Sequence, residues 1–281
     1  MNDLDEILPY IKNQKCVFFF GAGLSNIAGC YIWKKLLKKM ITDKSIRNDI
    51  KFKELEYYDY PVIIEYCKKV FDDNGQIDTF KGYVREALSF SSKKYNNKYL
   101  PFVQKLKEIK PYPKLNLTTN FDNLLENTRL FDFKNFFYTL NKFIYKKGLE
   151  GLFHIHGSIE DFEKILLTLT QYNKRYGNPV FKKFIKEIAK NNSILFICYS
   201  LEKDFRDLLM EVNNSKIKHY LLVSNEKNLS EINLYQNLMN VKIIKYGRKA
   251  DFIQIMSAWI DRNFNQPKLN LLDAGKDPST I

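Results

Sequence analysis

The sequence predicts an α/β protein: a doubly wound, mostly parallel sheet with helices on both faces and an inserted helical lobe. Three observations carry this. Short apolar runs, CVFFF at 16–20, SILFICYS at 193–200 and HYLLVS at 219–224, have the length and composition of strands buried on both sides. Stretches of helical periodicity stand between such runs, the alternation that builds a parallel sheet. Several of the runs end on a polar or glycine-containing turn, and in open parallel sheets ligands bind beyond the carboxyl ends of the strands.

Taken in order, residues 3–14 place Leu4, Ile7, Leu8 and Ile11 at helical spacing. The run at 16–20 then meets Gly-Ala-Gly-Leu-Ser at 21–25, and a helix is expected from about Ile32 to Met40. A buried strand turning abruptly through glycine into a helix brings backbone N–H groups to a phosphate, and glycine lets the ligand approach closely. Asn26 occupies the third glycine position of a G-x-G-x-x-G pattern, so the turn reads equally as one that needs glycine for its geometry alone. From about 42 to 110 no strand-like run occurs. Tyr57, Tyr58, Ile63, Ile64, Tyr66, Val70 and Phe71 recur at helical spacing, as do Phe80, Tyr83, Val84, Ala87 and Leu88. This stretch is expected to be a helical lobe inserted between the first two core strands, walling one side of a cleft. Pro111 and Pro113 end it, and LNLTT at 115–119 resumes the sheet, followed by a helix over FDNLLENTRL. NFFYTL at 135–140, LFHIH at 152–156 and ILLTLT at 165–170 are further strand candidates. A helix from about Pro179 to Lys190 leads into SILFICYS, and the helix LEKDFRDLLMEV follows. After HYLLVS come a helix near 229–239, the strand VKIIKY at 241–246 and the helix DFIQIMSAWIDRNF. These close a domain expected to span 1–264, with 265–281 a polar tail or linker.

Length and composition narrow the function. The 281 residues suit one large α/β domain, or one domain with an insertion. The net charge of +13 comes from lysines scattered along the chain, with no binding motif, so specific nucleic-acid binding is not expected. The cysteines at 16, 30, 67 and 198 form no C-x-x-C pair, which excludes a zinc ribbon of ordinary spacing and gives no disulfide framework. The first residues lack an apolar signal core, and no apolar run approaches the roughly 20 residues that span a bilayer. A cytoplasmic protein with no membrane partner is expected.

Polar groups from five remote stretches fall at one rim of the expected sheet. Gly21, Ala22, Gly23 and Ser25 follow the first strand, and Thr119, Asn120 and Asp122 follow the second. His156 closes 152–156, Ser200 closes 194–199, and Asn225 and Glu226 follow 219–223. Other readings stand beside these. Asp122 also suits the first turn of a helix capped by Thr119, Ser200 suits the N-cap of the next helix, and His156 suits the core. His154 and His156 make an H-x-H pair on one strand face. With three histidines and no cysteine cluster, no metal is expected.

GAGLS at 21–25, TTNFDNLLE at 118–126, HGS at 156–158, CYSLEKD at 198–204 and HYLLVSNE at 219–226 resemble the sirtuin-like family, and within it the bacterial branch that lacks the zinc module. The resemblance spans roughly residues 16–246, and TTNFDNLLE followed by HGS is its specific part. It implies a Rossmann-like, sirtuin-type fold that takes NAD as substrate. It further implies cleavage of the nicotinamide–ribose bond with water as acceptor, giving nicotinamide and ADP-ribose, as an NAD-depleting effector of anti-phage defence. Asn120 would orient the ribose or the water, Asp122 would organise the nicotinamide side, and His156, with a near-neutral pKa, would accept a proton. Gly21, Ala22, Gly23, Ser25, Thr119, Ser200, Asn225 and Glu226 would hold the dinucleotide. The family's deacylases carry Gly-Ile-Pro and then Phe-Arg after the glycine loop. Here the stretch is AGCYIWKKLL, and Cys198 stands where a glycine is expected, which places deacylation below hydrolysis. Such an enzyme must be held inactive until triggered, implying a separate protein partner or trigger, or a homo-oligomer. The rivals are a non-catalytic module that senses NAD or a related nucleotide and, behind it, a protein deacylase or a nucleic-acid-binding protein.

Overall fold

The computed structural model describes residues 2–30, 33–44, 46, 59–128, 136–137, 145–146, 148–212, 216–225, 236 and 238–265. Among the described residues, seven strands form one sheet: β1 (Cys16–Phe20), β2 (Leu115–Thr118), β3 (Phe136–Phe137), β4 (Gly151–His154), β5 (Ser193–Ile197), β6 (His219–Val223) and β7 (Val241–Lys245). Their order is β3-β4-β2-β1-β5-β6-β7, and every neighbouring pair is parallel. This is a Rossmann-like α/β fold. The chain runs from β1 to β2 and on to the edge strand β3, inserts β4 between β2 and β3, and crosses to the other side of β1 at β5. The crevice beyond the carboxyl ends of β1 and β5 is therefore the topological switch point.

The apolar runs form strands because both of their faces are covered. Along β1, Phe18 and Phe20 enter one core and Val17 and Phe19 the other, all fully buried. On the first face lie α1 (Leu8–Lys12), α2 (Ala22–Ala28), α7 (Leu100–Lys107) and α12 (Phe252–Phe264), through Ile11, Leu24, Phe102 and Trp259. On the second lie α9 (Leu169–Gly177), α10 (Pro179–Asn191) and α11 (Lys203–Met210), through Tyr172, Phe184 and Phe205. Each phenylalanine so buried contributes about 1.5–3 kcal/mol relative to exposure. A third core joins α3 (Trp33–Ile41), α4 (Tyr60–Asp73) and α5 (Ile77–Leu88) through Leu37, Ile64, Phe71 and Phe80.

The helical stretch expected at 42–110 thus divides between two cores. α4 and α5 pack with α3 as a lobe, whereas the short α6 (Ser92–Lys94), the π-helical turn after it and α7 lie on the sheet side. Gly-Ala-Gly-Leu-Ser is not a loop. Gly21 is the N-cap of α2, which ends at Gly29 (φ +101°). The expected strand at 165–170 is absent. Leu166 enters the second core while Ile165 and Leu167 enter the lobe core, so its alternation comes from bridging two cores rather than from sheet pairing. Thr168 then starts α9 with a capping box to Gln171. The helix over FDNLLENTRL is seen as α8 (Leu124–Asn127), and NFFYTL as β3 alone. Tyr57, Tyr58, Glu226, residues 266–281 and most of the helix expected near 229–239 lie outside the described residues. Among the described residues no helix is long and apolar enough to cross a membrane.

Candidate active site

A cavity of about 1000 Å³ opens at the carboxyl ends of the strands, at the upper end of the range of roughly 300–1,000 Å³ for small-molecule sites. The turns after β1, β2, β4, β5, β6 and β7 all reach it, and the lobe closes it with Trp33, Leu36, Tyr60 and Val84. Ala22, Gly23, Ser25, Thr119, Asn120, Asp122, His156 and Ser200 line it together. Gly21 and Asn225 are not in the lining. The Asn225 N–H donates instead to the Gly247 carbonyl at 2.7 Å.

The glycines have a reason different from the one expected. A Cβ on Gly21 would lie 2.5 Å from the Cys198 carbonyl oxygen and 2.6 Å from Tyr199 Cα, and one on Gly23 would lie 2.9 Å from that same oxygen. The Gly21 N–H donates to Ile197 O at 3.0 Å, and the Gly23 N–H to Cys198 O at 3.1 Å. Close approach is therefore made by the β5 turn, and these two N–H groups are occupied by its carbonyls.

The turn after β2 carries the densest polar chemistry. Thr118 Oγ1 accepts from the Asn120 N–H at 3.0 Å and itself donates to Phe20 O at 3.1 Å, which fixes the turn to β1. Asn120 is buried, and its Oδ1 has no hydrogen-bond partner. Asp122 Oδ2 accepts from the Ser25 hydroxyl, and Oδ1 from the Leu124 N–H at 3.2 Å. Asn123 is the N-cap of α8, and Asp122 just before it takes the helix's first N–H and ties it to α2. Burial pushes its carboxyl up, against the pull of the Ser25 and Leu124 hydrogen bonds.

The two neighbouring histidines diverge. His154, the last residue of β4, faces the Asn120 carbonyl at 2.8 Å through Nδ1 and Glu126 at 2.7 Å through Nε2. His156 turns toward α9: its Nε2 lies 2.7 Å from the Tyr176 hydroxyl and its Nδ1 3.3 Å from that of Tyr172. They do not form a common ligand pair, and among the described residues no three His, Cys, Asp or Glu side chains group to hold a metal. The near-neutral His156 expected from the sequence is corrected. Burial, helped by the Arg175 charge, pushes its pKa down to about 3, so it is a neutral imidazole at any working pH. Gly157 allows this turn, since at φ +86° a Cβ would lie 2.4 Å from Lys164 O.

Ser200 is exposed and is not the cap of α11, a place taken by Glu202. Glu202, Ser224, Trp33 and Tyr172 also line the cavity and are absent from the sequence-derived set. Glu202 and Ser224 follow strand ends and were legible by the same rule as Ser200. Tyr172 comes from the side of α9, which no strand end marks.

Residues 114–244 match the family model of the SIR2-like domain. The match supports a sirtuin-like family. The SIR2-like stretch begins just before β2 and ends within β7, so it contains Thr119, Asn120, Asp122, His156 and Glu202, while the turn at Gly21–Ser25 precedes it. SIR2-like domains are in general NAD-dependent enzymes that take NAD as substrate, and the match suggests an NAD-related activity.

Proposed function

We propose that this chain is an NAD hydrolase that cleaves the nicotinamide–ribose bond to give nicotinamide and ADP-ribose. The observation that carries this reading is Asn120 Oδ1, a buried acceptor with no partner on the lining of the switch-point cavity, within the SIR2-like stretch. An orphaned buried amide oxygen costs about 1–3 kcal/mol unless a ligand satisfies it. A ribose hydroxyl or a water is the donor it suits. Nicotinamide leaves as a neutral group from a cationic glycoside, so the site needs no strong acid. It needs polar groups around the developing ribose cation and controlled access for water. Asp122 supplies a fixed carboxyl on the nicotinamide side, and Lys94, Lys98 and Lys249 bring positive charge to the lining for a dinucleotide's phosphates. His156 holds Tyr172 and Tyr176 in place. The bacterial zinc-less branch, NAD depletion in anti-phage defence, a cytoplasmic site of action, and control by a separate partner, a trigger or self-association belong to the same reading.

A second reading is favoured by His156, whose ring nitrogens both face tyrosine hydroxyls: a non-catalytic module that senses NAD or a related nucleotide. Asn120→Ala separates the two. Nicotinamide release, followed by chromatography, is expected to fall by about 100-fold without a lowered thermal melt. NAD binding without nicotinamide release in the wild type would favour the sensing module.

A further inference from the structure

We propose that His154 and Glu126 are positioning residues for Asn120: the His154 ring holds the Asn120 main chain, and Glu126 holds the ring. The inference rests on the hydrolase reading and names what aims the amide at its centre. Neither residue lines the cavity, so both act through Asn120, which does.

A histidine buried in an inner strand of a parallel sheet needs partners for its ring nitrogens, because an unpaired polar group there bears its full desolvation cost. His154 ends β4 and is fully buried. Its Nδ1 lies 2.8 Å from the Asn120 carbonyl oxygen. A carbonyl can only accept, so Nδ1 carries a proton and donates it. At the other edge of the ring, Nε2 faces Glu126 Oε1 at 2.7 Å. Glu126 comes from α8, the helix whose first N–H Asp122 takes. With one nitrogen on the carbonyl and the other on this carboxyl, the ring is gripped at both edges.

Strand register explains why this residue meets that carbonyl. Thr118 and His154 are direct neighbours across β2 and β4. Thr118 Oγ1 accepts the Asn120 N–H at 3.0 Å, while His154 takes the Asn120 carbonyl. Thr118 is itself fixed on both sides: its hydroxyl donates to Phe20 O at 3.1 Å, and its carbonyl accepts the Ile155 N–H at 2.9 Å. Two adjacent side chains of the sheet thus hold both main-chain polar groups of Asn120. The amide, whose Oδ1 has no protein partner, is aimed from a fixed backbone. A reacting group set before the substrate arrives needs such support, and a displacement of about 1 Å costs up to about 100-fold in rate. Removing Nδ1 would leave the Asn120 carbonyl buried and unpaired, and the turn would shift to find another donor.

Two substitutions test this together, assayed as nicotinamide release by the purified chain, alone and with cell extract. His154→Phe keeps a ring without its nitrogens, and His154→Asn keeps an amide N–H near the place of Nδ1. The Phe variant is expected to lose about tenfold or more in kcat at constant KM, and the Asn variant to recover most of that loss. If the Phe variant melts early, Glu126→Ala and Glu126→Gln serve in the same way. The alanine should lower kcat, and the glutamine, which keeps a partner for Nε2, should restore it. Nitrogen NMR of the wild-type imidazoles, of which the chain has three, reads the bond without any assay: His154 should carry a proton on Nδ1 at neutral pH. A bare Nδ1, wild-type kcat in the Phe and Ala variants, or equal losses in the Phe and Asn variants would overturn the positioning role and leave the hydrolase reading standing. A wild type that binds NAD yet releases no nicotinamide in either condition would overturn the hydrolase reading, and this role with it.

Discussion

Gly21 touches the Cys198 carbonyl and Tyr199 rather than open space, so a methyl group there must displace backbone. Gly21→Ala should lower the thermal midpoint by an amount equivalent to about 1–3 kcal/mol with no NAD present. Lys186→Ala, on an exposed pair with Glu211, should leave the melt within about 0.5 kcal/mol of wild type. Equal melts would return the glycines to a ligand-binding role. His219 gives a pH effect of defined sign. Its Nδ1 accepts the Ile194 N–H at 3.2 Å, and burial pushes its pKa down to about 4. The folded value lies below the unfolded one of about 6.5, so this contribution is complete above pH 6.5. It is lost as pH falls from there toward 4, by at most about 1.4 kcal/mol per pH unit. His219→Gln, which keeps an acceptor, should flatten that acid limb in melts taken from pH 7 to 4, and identical slopes would refute it. At this scale the sequence named Asn120 and Asp122 from their place after an apolar run. It misjudged His156, because a pKa depends on Tyr172, Tyr176 and Arg175, which only tertiary packing brings to it.

The strands β1, β5 and β6 were legible because a run buried on both faces is largely apolar, whereas β7, at the sheet edge, is only partly buried and carries Lys242 and Lys245. The run at 165–170 misled because a segment between two cores alternates just as a half-buried strand does. α9 sets the tyrosine wall against His156 and is capped by Thr168 and Gln171. Thr168→Ala should cost about 1 kcal/mol in a denaturant titration, and a loss of less than a few tenths would show that packing alone holds α9. Phe71 and Phe80 fill the lobe's own core, while Tyr66 is partly exposed. The lobe still walls the cavity through Trp33, Tyr60 and Val84, so a trigger acting through it must favour one lobe position over another. Hydrogen exchange over α3–α5 should then change when NAD cleavage is switched on, and unchanged protection in an active sample would leave the lobe a fixed wall.

Across the whole molecule, the net charge of +13 comes from lysines scattered along the chain, some of which pair locally: Lys105 with Glu108 and Asp261, Lys242 with Asp3 and Glu6, and Lys114 with Glu150. Such pairs contribute little stability. Binding to mixed DNA or RNA should be weak and lost between roughly 50 and 200 mM salt, and a salt-resistant, sequence-dependent complex would contradict this. The order of the sheet brings the site together, and it could be read in advance only as a rule about strand ends. Which turns converge on one cavity follows from the reversal between β1 and β5. The proposal that this cavity hydrolyses NAD is tested by the product balance. NAD is incubated with the purified chain, alone and with cell extract, and nicotinamide and ADP-ribose are quantified by chromatography. Equal amounts of the two products are expected, reduced by about 100-fold in Asn120→Ala. Intact NAD in both conditions, with binding demonstrated by calorimetry, would contradict it.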